Sequence, residues 1–169
     1  MQLNKLKLRF LGSLFLPLLV IIVCSVAVQC QVVHFADLNL EMAVREALKN
    51  HEGSITADDM ARLIELNTAA RGITDLSGLE YAVNLQSLDL GQNQISDISP
   101  LAKLANLEKL ALWDNHINDI APLAHLVNLK ELDLSSNNIS DISSPLADLK
   151  GLEVLGLGDN SLGDISSLV

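Results

Sequence analysis

LQSLDLGQNQISDISPLAKLAN, residues 85–106, decides the reading of this chain because the same phrase returns three more times. LEKLALWDNHINDIAPLAHLVN follows at 107–128, LKELDLSSNNISDISSPLADLKG at 129–151 and LEVLGLGDNSLGDISSLV at 152–169. The copies start 22, 22 and 23 residues apart. A period of that length marks a solenoid, in which each unit buries its apolar residues only against the units before and after it. The pattern specifies an architecture and names no reaction.

Each copy reads physically. The LxL core predicts a short strand whose two leucines share one face while the residues between them face outward, because side chains alternate along a strand. Asn93, Asn115, Asn137 and Asn160 follow the strands, where a side-chain amide satisfies backbone groups left unpaired as the chain turns. Ile95 and Ile98, Ile117 and Ile120, and Ile139 and Ile142 then flank an aspartate at a spacing suited to one tight turn. The aspartate column is Asp75, Asp97, Asp119, Asp141 and Asp164. These carboxylates read as turn caps rather than a metal ladder, since one per coil leaves a calcium ion short of its about six to eight oxygens.

Working outward, LIELNTAARGITDLSGLEYAVN at 63–84 is a partial copy. It keeps Leu66, Ile73, Asp75, Leu76 and Leu79 in register, but Arg71 stands where later copies have asparagine and Thr68 replaces the second leucine of LxL. Terminal repeats are expected to be atypical because one side meets a cap. Upstream, Leu38 to Lys49 predicts a helix with Leu40, Val44, Ala47 and Leu48 on one side. A second helix is predicted to start at Thr56, with Asp59 completing a capping box and Ile55 stapled to Met60.

The shared pattern LxxLxLxxNxIxDIxxLxxL resembles the bacterial leucine-rich repeats of the internalin-like type, over residues 63–169. That resemblance implies an α/β leucine-rich-repeat solenoid: a right-handed horseshoe with short parallel strands on the concave side and 3₁₀ or irregular turns on the convex side. It also implies recognition of a macromolecule as the task. The segment FADLNLEMAVREALKNHEGSITADDMARL resembles the helical N-terminal cap of such proteins. The expected domains are 1–27 as a leader, 28–62 as the helical cap and 63–169 as the repeats.

The first 27 residues have a composition of their own. Lys5, Lys7 and Arg9 precede an apolar run from Phe10 to Val28, the layout of a secretory signal, with Ser25 and Ala27 supplying small residues for cleavage after Ala27. An uncleaved membrane anchor and a lipid anchor on Cys30 are the alternatives. The expected location is therefore secreted or on a bacterial cell envelope. At the other end, Leu155, Leu157, Ile165 and Leu168 have no predicted closing cap. An open solenoid end combines an unpaired edge with an apolar surface, so the chain reads either as a fragment of a longer protein or as one whose last coil frays or pairs with a partner, self-association included. The extra residue near Ser144 and Pro145 is expected to bulge without moving its strand.

Loss of residues 1–27 removes three positive charges and no negative one, taking the formal charge from −10 to −13. That balance disfavours nucleic acid as a partner. Cys30 is then the single cysteine, so packing rather than a disulfide stabilises the fold. His34, His51, His116 and His125 are scattered, and the chain carries no HExxH, CxxC, GxSxG or glycine-rich phosphate loop. No enzyme activity, cofactor or metal is expected, and His116 and His125 read as solvated loop residues.

Binding is expected on the concave face. The outward strand positions that form its candidate surface are Ser87, Asp89, Lys109, Ala111, Trp113, Glu131, Asp133 and Ser135. Trp113 is the sole tryptophan, and an exposed aromatic at the centre of a face is the type that becomes a hot spot; the competing reading has it packing over Gly91 or Ser135. Asp89, Glu131 and Asp133 around Lys109 make a mostly acidic floor that favours a basic protein or peptide. Five strands at about 4.8 Å give a sheet only about 19 Å wide. A peptide or a weak protein contact fits that width. The other readings are a spacer segment of a larger surface protein and weak saccharide binding, the latter resting on Trp113 alone.

Overall fold

The computed structural model describes residues 31–142 and 146–163. The expected leader at 1–27, the insertion at Ser144 and Pro145, and Asp164, Ile165 and Leu168 lie outside these residues.

The chain enters through a small cap. Val33 donates its N–H to the Ile55 carbonyl at 2.8 Å, beside an antiparallel bridge between Val32 and Thr56. Helix α1 spans Leu38–Leu48, opened by Asp37, whose carboxylate accepts the N–H groups of Asn39 and Leu40. Lys49, in the left-handed region at φ 54°, closes it, so the helix ends one residue before the expected Lys49. Its buried stripe is Leu40, Ala43 and Val44, with Leu48 partly buried. Ala47 was expected in that stripe but is exposed; it falls in the last turn, where nothing packs over its short side chain. Helix α2, Ala57–Met60, has the capping box the sequence predicts: Thr56 and Asp59 each accept the other's backbone N–H. Ile55 and Met60, the staple pair, are both buried.

Five strands follow in one parallel sheet: β1 Glu65–Asn67, β2 Ser87–Asp89, β3 Lys109–Ala111, β4 Glu131–Asp133 and β5 Val154–Gly156, paired in sequence order. Leu66, Leu88, Leu110, Leu132 and Leu155 stand in register across it. The extra residue of the fourth coil thus leaves the strand pairing unshifted. Between strands the chain returns through 3₁₀ helices at Leu79–Tyr81, Ser99–Lys103 and Ala121–His125. Pro100 and Pro122 sit in the first turn of the second and third of these, where a missing N–H goes unnoticed.

The core is a stack of aliphatic columns. In the third coil Leu107, Leu110, Leu112, Ile117, Ile120, Leu123 and Leu126 are all buried, each stabilising the fold by about 1.5–3 kcal/mol. Thr68, at a leucine position in the first coil, is also fully buried; its hydroxyl donates to the Asp89 carbonyl at 3.0 Å. In the last coil Leu152, Leu155, Leu157 and Leu162 are only partly buried.

Asparagines rivet the coils together. Asn115 accepts the Ile95 N–H at 3.0 Å and donates to the carbonyls of Leu90, Leu112 and Trp113. Asn93, Asn137 and Asn160 repeat this arrangement. The residue before each is left-handed, at Gln92, Asp114, Ser136 and Asp159, with Ala70 in the matching place of the first coil. The aspartate column caps turns as expected: Asp75, Asp97 and Asp119 accept the N–H of Ser77, Ser99 and Ala121. A second ladder was not anticipated, in which Asn84 donates to the Ala61 carbonyl at the end of α2, and Asn106 and Asn128 donate to the Val83 and Ala105 carbonyls of the preceding coil.

Candidate functional site

Three columns of side chains stand on the solvent side of the strands and the turn after them. The first is Glu65, Ser87, Lys109, Glu131 and Val154; the second is Asn67, Asp89, Ala111, Asp133 and Gly156. The third is Ala69, Gly91, Trp113, Ser135 and Gly158, two residues further along each chain segment. Strand alternation places the columns here, since the leucines between them point into the core.

In the first column, Lys109 Nζ meets Glu131 Oε1 at 2.6 Å. This pair is exposed on both sides and neutralises the one cation of the floor. On the flank, Lys130 Nζ lies 2.6 Å from Glu108 Oε2, and that hydrogen bond and charge hold the Lys130 ammonium above its usual pKa.

The second column has a structural task that the sequence reading did not assign. Asn67 Oδ1 accepts the Ala69 N–H at 3.1 Å, Asp89 Oδ1 the Gly91 N–H at 3.0 Å, and Asp133 Oδ1 the Ser135 N–H at 3.0 Å. The Ser135 hydroxyl also donates to Asp133, at 2.7 Å. These side chains close the turn that leaves each strand. Ala111 and Gly156 interrupt the series because neither has a side-chain oxygen. Among the described residues, the Trp113 N–H meets no acceptor.

In the third column the Trp113 indole lies flat over Gly91, so close that a Cβ there would collide with it. Packing on Gly91 was one of the two expected placements of this side chain, and it leaves the indole half-buried. Gly91 is therefore required by a neighbour rather than by its own backbone angles. The signal available in the sequence was the pairing of a glycine with a tryptophan one period later.

Six of the eight candidate residues, Ser87, Asp89, Lys109, Ala111, Glu131 and Asp133, line one open trough of about 440 Å³. Val154 and Gly156 complete its wall. Trp113 and Ser135 lie beside it, at the turn end of the strands. Gly156 keeps the wall low, since a Cβ there would strike the Asp133 carboxylate. His116 and His125 are exposed and lie outside this surface. Among the described residues, no group of three or more His, Cys, Asp or Glu is placed to hold a metal ion, and no helix is long and apolar enough to cross a membrane.

The geometry has known relatives. A family model described as "Leucine Rich repeats (2 copies)" matches residues 83–125 and 127–169. An internalin (inlF) from Listeria monocytogenes is 32% identical, with a TM-score of 0.70, over 79% of this chain and 46% of its own. The internalin C2 (inlC2) of the same organism is 32% identical at a TM-score of 0.59, over 79% of this chain and 70% of its own. The functional domain of InlJ, also from Listeria monocytogenes, is 25% identical at a TM-score of 0.71, over 82% of this chain and 32% of its own. The chain thus spans about half the length of the first of these structures. No curated protein matches the chain. The repeat family supports a non-enzymatic role. On the matched repeats, the shared sheet and the helical cap, the chain belongs to the leucine-rich-repeat proteins and is related to the bacterial internalins.

Proposed function

We propose that this chain is an exported binding module that recognises a protein or peptide of basic character through its concave strand face. The observation that carries this reading is the trough itself: its outward columns are not consumed by the core, and the sole tryptophan is held beside its centre. The likeness to internalins supports a protein-binding role and an extracellular or surface setting. The acidic balance of the floor supports a basic partner, because once Lys109 is paired with Glu131 the remaining charges are Asp89 and Asp133. The face is too narrow for a standard interface of about 800 Å² per partner, which favours an extended segment over a globular domain.

Panning a random displayed-peptide library on the immobilised protein tests this. Selected peptides should lose affinity for Trp113→Ala and Asp133→Lys while binding Lys103→Glu, on the opposite side, as they bind the parent. Far-UV circular dichroism should be unchanged in all three. Equal binding to parent and both strand-face variants would refute the reading.

A second reading, self-association, takes its support from Leu152, Leu155, Leu157 and Leu162, which are partly exposed where their counterparts in earlier coils are buried. A monomeric mass by light scattering at high protein concentration would remove it.

A further inference from the structure

The interruption at Ala111 gives the trough a centre. In the second and fourth coils the N–H that leaves the strand is met by Asp89 or Asp133 from the solvent side. Gly156 in the fifth coil also lacks such an oxygen, and the equivalent N–H in the third coil, that of Trp113, has no acceptor among the described residues. An open donor of this kind is satisfied by solvent or by a ligand oxygen. The Ala111 methyl beside it leaves room where a carboxylate would stand, and Ala111 pairs in register with Asp89 on one side and Asp133 on the other. Two strand spacings separate those carboxylate columns, about 9.6 Å. The indole of Trp113, fixed on Gly91, walls the end of this gap with a flat aromatic surface.

Resting on the concave-face reading, we propose that this gap is a specific seat for one arginine of an extended peptide partner. A backbone carbonyl of the partner accepts the Trp113 N–H, supplying the oxygen that Ala111 lacks. The guanidinium lies against the indole, within the field of Asp89 and Asp133. Arginine suits the seat better than lysine because its planar, weakly hydrated head stacks on an aromatic face while keeping donors free at its edge for a carboxylate. Charge complementarity selects the occupant; of the two vacant acceptor positions, at Ala111 and Gly156, only Ala111 pairs with an aspartate on both sides, and that selects the place.

The test is a titration of the protein with a blocked hexapeptide of alternating arginine and glycine, followed by the fluorescence of Trp113, the sole tryptophan. The glutamate-for-arginine peptide serves as control. The decisive variant is Ala111→Asp, which restores the turn oxygen and fills the gap while adding a negative charge. Under the proposal it weakens the arginine peptide at least tenfold without lowering thermal stability. A merely acidic surface would bind that peptide more tightly in the same variant. Asp133→Asn, which keeps the turn oxygen and removes the charge, should weaken it about three- to tenfold. Equal or tighter binding by Ala111→Asp overturns the seat. So does failure of the arginine peptide to bind while library-selected peptides still bind and still depend on Trp113, an outcome that leaves the broader concave-face reading standing.

Discussion

At the residue scale, the molecule depends on a few side chains that serve the backbone. Asn115 satisfies one N–H and three carbonyls from two coils, all but the Trp113 carbonyl buried inside the fold. Removing it leaves several buried polar groups without partners, each costing about 1–3 kcal/mol. Asn115→Ala should therefore lower the urea-derived stability by about 3–5 kcal/mol, far more than an alanine at exposed Asn118, and a loss under 1 kcal/mol would contradict the rivet role. The repetition of these asparagines made their purpose legible from the sequence. The ladder of Asn84, Asn106 and Asn128 recurs at the same spacing and was legible in principle, but it sits next to the strand-opening leucines, where no turn signal drew attention to it. Gly91 shows what periodicity cannot tell: the residue is small because a side chain from the next coil lies on it. Gly91→Ala should dislodge the indole and red-shift its fluorescence while the far-UV spectrum stays the same; an unshifted emission would mean that the indole is not seated there.

At the scale of elements, the cap is joined to the repeats by the Asp37 carboxylate, together with the Arg71–Glu46 ion pair and the hydrogen bond from Asn84 to the Ala61 carbonyl. Asp37 caps α1 through Asn39 and Leu40 and also accepts the N–H and hydroxyl of Thr74, at 2.8 and 3.1 Å. The capping role was within reach of sequence rules. The link to Thr74 was not, because it connects positions 37 residues apart that share no repeat phase. The capping box at Thr56 was legible because its partners are three residues apart. Ala47 misled because helical spacing assigns a face without saying how far its cover extends.

Burial pushes the Asp37 carboxyl up, but the hydrogen bonds from Thr74, Leu40 and Asn39 together outweigh it and leave the pKa lowered. Asp59 is lowered chiefly by the Thr56 hydroxyl. A lowered folded-state pKa means that the unfolded chain binds protons first as acid is added. The stability these groups supply is complete above about pH 4, the unfolded value, and is lost as the pH falls through their folded values. Asp37→Ala should cost about 1–3 kcal/mol at neutral pH. It should also flatten the loss of stability below about pH 4, measured by thermal melts across that range. A variant that melts with the parent's full acid dependence would show that this carboxylate does not join cap to repeat.

At the scale of the whole molecule, five coils produce one small sheet whose buried side is nearly invariant and whose outer side is irregular. The regular side was readable because every coil states it again. The outer side was readable only as a set of positions: Ser87, Asp89, Lys109, Ala111, Glu131 and Asp133 do meet in one trough. Its departures from regularity, Ala111 among turn-closing oxygens and Trp113 over Gly91, emerge only when neighbouring coils are laid side by side in three dimensions. Those departures distinguish this chain's surface from a generic repeat. The central claim is that ligand meets this face, and the most direct measurement is an amide chemical-shift map of the isotope-labelled protein as a library-selected peptide is added. Binding at this face should give the largest shifts at the Trp113 amide and indole and at Asp89, Ala111 and Asp133, with slowed exchange of the Trp113 N–H. Shifts confined to the Val83 and Val127 flank, or to Lys103 and His125 on the opposite side, would contradict it.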